Sequence, residues 1–120
     1  IFPLGCGRMF EGRPKQMWAS LSRIAALPEN TRLYCAHEYT AANARFALSI
    51  DSSPALQTRA EAVFAARARG ESTVPSTVGE ERATNPFLRA PMLAARFGLE
   101  GGADHDVFAA VRAAKDEFRG

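Results

Sequence analysis

The run Tyr34-Cys35-Ala36-His37-Glu38-Tyr39-Thr40 places a metal-capable imidazole, a carboxylate and a phenol side by side. A protein zinc site needs three or four ligands. The other histidine, His105, sits in a Gly-Gly-Ala-Asp context, and Cys6 and Cys35 do not form a ligand pair. If His37 binds metal, its co-ligands therefore lie outside this chain; otherwise it is an ordinary hydrogen-bonded histidine. Two further places carry charge that could hold an anion. Arg8 follows the Gly-flanked loop Gly5-Cys6-Gly7, where the backbone can approach a ligand closely. Arg112, Lys115 and Arg119 lie three, four and seven apart, on one face of the last helical segment. That stripe reads either as a solvated face complementing the helix dipole or as a clamp for carboxylates.

The elements that must position these groups are mostly helical. Pro14 suits the first turn of a helix whose Met17, Leu21 and Ile24 recur at helical spacing, until Pro28-Glu29-Asn30 ends it. Thr31 to Cys35 reads as a short buried strand, so His37 stands between a strand and a helix. That is where an α/β sheet presents catalytic groups. From Glu38 to Ile50, Tyr39, Ala42, Phe46 and Ile50 make one apolar face. Asp51-Ser52-Ser53-Pro54 is a break followed by a cap. The next face is Leu56, Ala60, Val63 and Phe64, with Gly70 as a fitting terminator.

Glu71 to Asn85 lacks periodicity and reads as a strap. It carries a short helix over residues 77–83 announced by the capping-box pattern Thr77-Val78-Gly79-Glu80. Asn85-Pro86-Phe87-Leu88 leads to a short helix near Met92 to Phe97. Asp104 or Asp106 then caps a last helix that buries Val107, Val111, Ala114 and Phe118.

The bulk numbers exclude several classes. The 120 residues carry a net charge of +2, and no Lys/Arg run interleaved with aromatics supports a nucleic-acid surface. No apolar run is long enough to span a membrane, and two cysteines are too few for a disulfide scaffold. A cytoplasmic-type protein is the expectation. The opening Ile1-Phe2-Pro3-Leu4 is apolar where chain ends are usually polar. It leads us to expect the C-terminal part of a longer protein.

Four segments resemble glyoxalase II, the hydroxyacylglutathione hydrolases, in order and approximate spacing. They are Gly5-Cys6-Gly7-Arg8-Met9-Phe10-Glu11-Gly12, Cys35-Ala36-His37-Glu38-Tyr39-Thr40, Asn85-Pro86-Phe87-Leu88-Arg89 and Arg112-Ala113-Ala114-Lys115-Asp116-Glu117-Phe118. The resemblance implies an α+β fragment, mainly helical. Residues 1–37 would be the C-terminal remnant of an αββα metallo-β-lactamase-type domain, and residues 38–120 a helical glutathione-binding domain. It implies hydrolysis of S-D-lactoylglutathione to glutathione and D-lactate, a methylglyoxal-detoxifying reaction. The site would be binuclear, with zinc the first choice and iron or manganese alternatives. His37 matches a ligand of the second metal. Arg8, Phe10, Tyr39, Arg112 and Lys115 match residues that contact glutathione. A monomer is implied for the full-length protein, with no nucleic acid or membrane partner.

The family's His-x-His-x-Asp-His motif does not occur here, Phe10 stands where tyrosine is frequent, and Arg13 where threonine is common. The chain by itself is therefore expected to hold substrate rather than to turn it over. The alternatives are a non-catalytic module binding glutathione or another small dianion, and a purely structural helical domain.

Overall fold

A computed structural model describes residues 1–8 and 13–120. The helices are α1 (Pro14–Ala25), α2 (Thr40–Ile50), α3 (Pro54–Ala68), α4 (Val78–Thr84) and α5 (Asp104–Glu117). A 3-10 helix runs over Ala90–Phe97, and two short strands, β1 (Arg32–Leu33) and β2 (Ser76–Thr77), complete the set. The domain is thus mainly helical, as expected. Among the described residues the only sheet is this two-stranded antiparallel pair, with Arg32 opposite Thr77 and Leu33 opposite Ser76. No layered αββα arrangement is present among them. No described helix is long and apolar enough to cross a membrane.

The extended stretch at 31–35 pairs for only two residues, and Tyr34 is 71 % exposed. Its partner comes from the later strap, which crosses back over it, so it is not the buried strand of an α/β unit. Val78 N–H donates to Thr31 O at 2.9 Å and Gly79 N–H to Glu29 O at 2.9 Å, extending the seam into the first turn of α4. The capping-box reading of that turn holds in its first half, because Glu80 N–H donates to Thr77 Oγ1 at 3.2 Å.

α2 is the central element. It is buried on two sides, which one apolar stripe in the sequence does not reveal. Phe46 and Ile50 enter a core with Leu21 of α1, Phe87, Leu93 and the α5 residues Val107, Phe108 and Val111. Ala44 and Ala47 face the other way, onto Leu4 and the α3 residues Leu56, Ala60 and Val63. Alanines at that seam let the two helices approach closely, and α3 packs along α2 there. α3 closes with Gly70 in the left-handed conformation, φ +74°. Gly70 N–H then reaches Arg67 O at 3.0 Å and Glu71 N–H reaches Ala66 O at 2.9 Å, a Schellman closure.

α2 begins at Thr40, two residues later than its sequence pattern suggests. Glu38 is engaged elsewhere: Thr73 N–H and Thr73 Oγ1 donate to its two carboxylate oxygens at 2.6 and 2.7 Å. This ties the segment around His37 to the strap. Partial burial pushes the Glu38 carboxyl up, but the Thr73 and Thr40 hydrogen bonds and the Arg67 charge outweigh it and hold it below the usual range.

A cationic cleft as the candidate functional site

The site is built on a turn that the helices hold by their side chains. Phe2 and Gly5 exchange both backbone hydrogen bonds at 2.9 Å, closing Phe2-Pro3-Leu4-Gly5 into a tight turn. Leu4 takes φ +60°, a left-handed conformation that costs a non-glycine residue about 1–3 kcal/mol. The surroundings over-determine it. Its side chain is fully buried, and its N–H donates to Glu81 Oε1 at 2.9 Å. Asn43 Nδ2 donates to Pro3 O at 3.2 Å. Asn85 Nδ2 lies 3.2 Å from Phe2 O, 3.1 Å from Gly5 O and 3.0 Å from Glu81 Oε1, sharing two hydrogens among three acceptors. A Cβ at Gly5 would stand 2.5 Å from Asn43 Nδ2, so a larger residue there has to push the Asn43 amide away from the turn.

Behind the turn lies a buried ion pair. Glu81 is 0 % exposed, and its Oε2 stands 2.7 Å from Arg59 Nη2, off the N–H direction. Arg59 also donates to Thr84 Oγ1 at 2.7 Å. A buried carboxylate is tolerated only when paired and hydrogen-bonded, which this constellation achieves.

The chain leaving the turn is held by α5. Arg112 donates to Cys6 O at 2.8 Å and Gly7 O at 3.3 Å, and to Asp116 Oδ1 at 3.2 and 2.9 Å. Its guanidinium carbon lies 5.1 Å from the centre of the Phe87 ring, and its side chain is 5 % exposed. The Asn85-Pro86-Phe87 segment therefore has two tasks: Asn85 anchors the turn, and Phe87 supports the arginine. Phe87 N–H closes the segment on Asn85 Oδ1 at 2.9 Å.

These anchors shape a cleft of about 470 Å³ whose walls include Phe2, Arg8, Tyr39, Asn43, Arg112 and Lys115. Of the residues expected from sequence to bind a ligand, Arg8, Tyr39, Arg112 and Lys115 meet there. Phe10 lies outside the described residues. His37 stands beside the cleft, stacked on Tyr39 with ring centres 5.0 Å apart and planes 14° apart, and it is exposed.

Among the described residues no group of three His, Cys, Asp or Glu side chains is placed to hold a metal ion. The residues present thus do not form a metal centre by themselves, and His37 can offer at most one ligand to a centre completed from elsewhere.

The electrostatics are one-sided. Lys115 lies 6.0 Å above the Phe46 ring, and among the described residues no carboxylate pairs with it. Burial, then Arg112, Arg8 and Arg45, push its ammonium below the ordinary lysine range, and Asp116 opposes them only in part. Arg8 is 65 % exposed and reaches Asp116 at 3.8 Å. Burial pushes the Cys6 thiol up despite the neighbouring Arg112, so it stays protonated and unreactive.

The basic stripe of the last helix thus divides. Arg112 points inward, Lys115 is half-buried at the cleft, and Arg119 lies beyond the helix end and is exposed. Sequence reasoning missed Asn43 and the Glu81–Arg59–Asn85 network. The signals available were a polar Asn inside an apolar helix and the four-residue spacing of Glu81 and Asn85.

The family model described as "Hydroxyacylglutathione hydrolase C-terminus" matches residues 38–118, which hold α2 through α5. Proteins named hydroxyacylglutathione hydrolase are similar along nearly the whole chain. That of Maricaulis maris is 60 % identical over 98 % of this chain and 47 % of its own length. That of Erythrobacter litoralis is 60 % identical over the same shares. That of Methylococcus capsulatus is 55 % identical over 100 % of this chain and 48 % of its own. The chain spans about half the length of the curated relatives it matches. By the family match and by these identities, the chain belongs to the hydroxyacylglutathione hydrolase family.

Proposed function

We propose that this chain is the substrate-holding part of a thioester hydrolase that converts an S-(2-hydroxyacyl)glutathione, such as S-D-lactoylglutathione, and water to glutathione and a 2-hydroxy acid. Residues 38–120 form the glutathione-binding domain, and residues 1–37 belong to the hydrolase domain whose turn and loop they place against it. The observation that carries this reading is the cleft in which Arg8, Lys115 and Arg112 meet Tyr39, with Asp116 shared by the two arginines and no carboxylate on Lys115 among the described residues. Cations gathered around a cavity of small-peptide size create a standing demand for an anion. Glutathione has a carboxylate at each end of a short chain.

The roles divide by accessibility. Lys115 and Arg8 have free donors and take the ligand's carboxylate. Arg112 makes four hydrogen bonds to protein oxygens and fixes the loop that presents Arg8. Tyr39 and Phe2, whose ring centres are 5.2 Å apart, form the aromatic wall along the ligand.

His37, next to Tyr39, contributes one ligand to a binuclear centre, zinc by preference, whose remaining ligands come from outside this chain. When bound, such a centre supplies an activated water at neutral pH and polarises the thioester carbonyl. This chain's part is to hold the thioester end at His37 and the carboxylates away from it. Orientation of that kind accounts for much of the rate in a reaction whose thiolate already leaves well.

Calorimetric titration of the protein with S-hexylglutathione tests the reading. Reversing charge at both Arg8 and Lys115 should weaken binding by at least about tenfold. Unchanged affinity would leave the cations without a ligand role and return the chain to a structural helical domain.

A further inference from the structure

Arg45 is a cation that neither the fold nor the proposed clamp uses. It lies on α2, three residues after Ala42 and six after Tyr39, both of which line the cleft. Positions three apart share a helix face. Tyr39, Ala42 and Arg45 are all exposed, whereas Asn43, Ala44, Phe46 and Ala47 between and beyond them are buried. Arg45 thus stands just beyond the cleft's edge, on the face of Ala42 and about 4.5 Å further along the axis. Among the described residues no carboxylate forms an ion pair with it. Its charge is felt at Lys115, together with those of Arg112 and Arg8. An exposed arginine placed to repel a neighbouring lysine costs stability unless an anion lies between or beside them.

We propose that Arg45 receives a second anionic group of the ligand, distinct from the one held by Lys115 and Arg8. The cleft then selects a peptide-like dianion over a monoanion. The proposal rests on the glutathione-thioester reading and deepens it. With the reacting sulfur directed to His37 at the start of α2, the two carboxylates of such a ligand can diverge. One goes to the α5 side, at Lys115, and the other follows α2 to Arg45.

Two probes, each lacking one carboxylate, separate the subsites: S-hexyl-cysteinylglycine, without the γ-glutamyl group, and the glycyl ethyl ester of S-hexylglutathione. Their affinities and that of S-hexylglutathione are measured by calorimetry for the wild-type protein, Arg45→Gln, Arg45→Lys and Lys115→Gln. Arg45→Gln should weaken S-hexylglutathione about two- to fivefold, as for an exposed charge pair, and Arg45→Lys should restore most of it. The Arg45→Gln effect should vanish with one truncated probe and the Lys115→Gln effect with the other. Loss of both effects with the same probe would show that the two cations share a single carboxylate and overturn the proposal. So would an Arg45→Gln protein that binds S-hexylglutathione as tightly as wild type. If the wild-type protein binds none of the three, the glutathione reading itself fails and takes the proposal with it.

Discussion

Replacing Glu81 by glutamine tests whether the cleft is held from behind by a buried charge. The substitution keeps shape and removes the charge from a side chain that is 0 % exposed. Three partners depend on it: Leu4 N–H at 2.9 Å, Asn85 Nδ2 at 3.0 Å and Arg59 Nη2 at 2.7 Å. The amide oxygen can still accept from Leu4 and Asn85. The amide nitrogen, however, would face the Arg59 guanidinium, donor against donor.

Breaking a buried pair by neutralising one partner costs about 3–5 kcal/mol. Arg59 is 13 % exposed and has Glu80 at 3.8 Å and Thr84 at 2.7 Å in reserve. The low end, about 3 kcal/mol, is therefore expected. Urea unfolding followed by far-ultraviolet circular dichroism measures it as a fall in midpoint at constant slope. The paired replacement Arg59→Met with Glu81→Leu removes both charges and should cost less than Glu81→Gln alone, because no orphaned ion remains. A loss below about 1 kcal/mol for Glu81→Gln, or a double variant that costs more than the single one, would refute the reasoning.

Gly5→Ala should destabilise the protein and lower S-hexylglutathione affinity, because the new Cβ displaces Asn43 Nδ2 from the turn; a melting temperature equal to wild type would contradict this. Arg112→Lys keeps the charge but cannot reproduce the fork to Cys6, Gly7 and Asp116, so ligand affinity should still fall, by about tenfold, in the same titration. Lys115 titrates below the ordinary lysine range, and an anion needs it charged. Affinity should therefore decline as pH rises through that lowered value, at lower pH than an unperturbed lysine allows. The same depression means that the charged form is disfavoured on folding at neutral pH, so Lys115→Met should stabilise the fold there while weakening the ligand. The Glu38 carboxyl is held down, so its link to Thr73 should persist below the usual carboxylate range and be lost only as pH falls through its lowered value. Amide exchange at Thr73 measures that. The isolated chain with added zinc should show no hydrolysis of S-D-lactoylglutathione, read from the thioester absorbance, since His37 is the one ligand it is proposed to supply.

The helices with a single buried face were legible. In α3, Leu56, Ala60 and Val63 repeat at helical spacing and are buried, and in α5 Val107 and Val111 do the same. α2 was only half legible, because burial on two sides erases the polar face that periodicity needs. Tyr39 and Ala42, which share an apolar stripe with Phe46 and Ile50 in the sequence, line the cleft, while Phe46 and Ile50 enter the core. The extended segment at 31–35 looked like a buried strand by composition, but strand burial depends on partners that composition does not name. The convergence of Arg8, Tyr39, Arg112 and Lys115 was anticipated through family resemblance rather than through spacing. The hidden part was the Glu81 network. Its contacts join residues 77, 22 and 4 positions apart in the chain, and no local pattern distinguishes a charge destined for the interior.

The anchoring of the first turn has a consequence for how substitutions distribute. What the helical domain grips in residues 2–7 is almost entirely main chain: the carbonyls of Phe2, Pro3, Gly5, Cys6 and Gly7 and the amide of Leu4. Every residue type supplies those atoms. The donors and the acceptor on the other side, Asn43, Asn85, Arg112 and Glu81, are particular side chains with no substitute. Tolerance to mutation should therefore be lopsided across the contact. The gripped segment should accept many side chains wherever it has neither Gly5's crowding nor Leu4's burial. The gripping residues, three of them in helices and Asn85 just past the end of α4, should accept almost none.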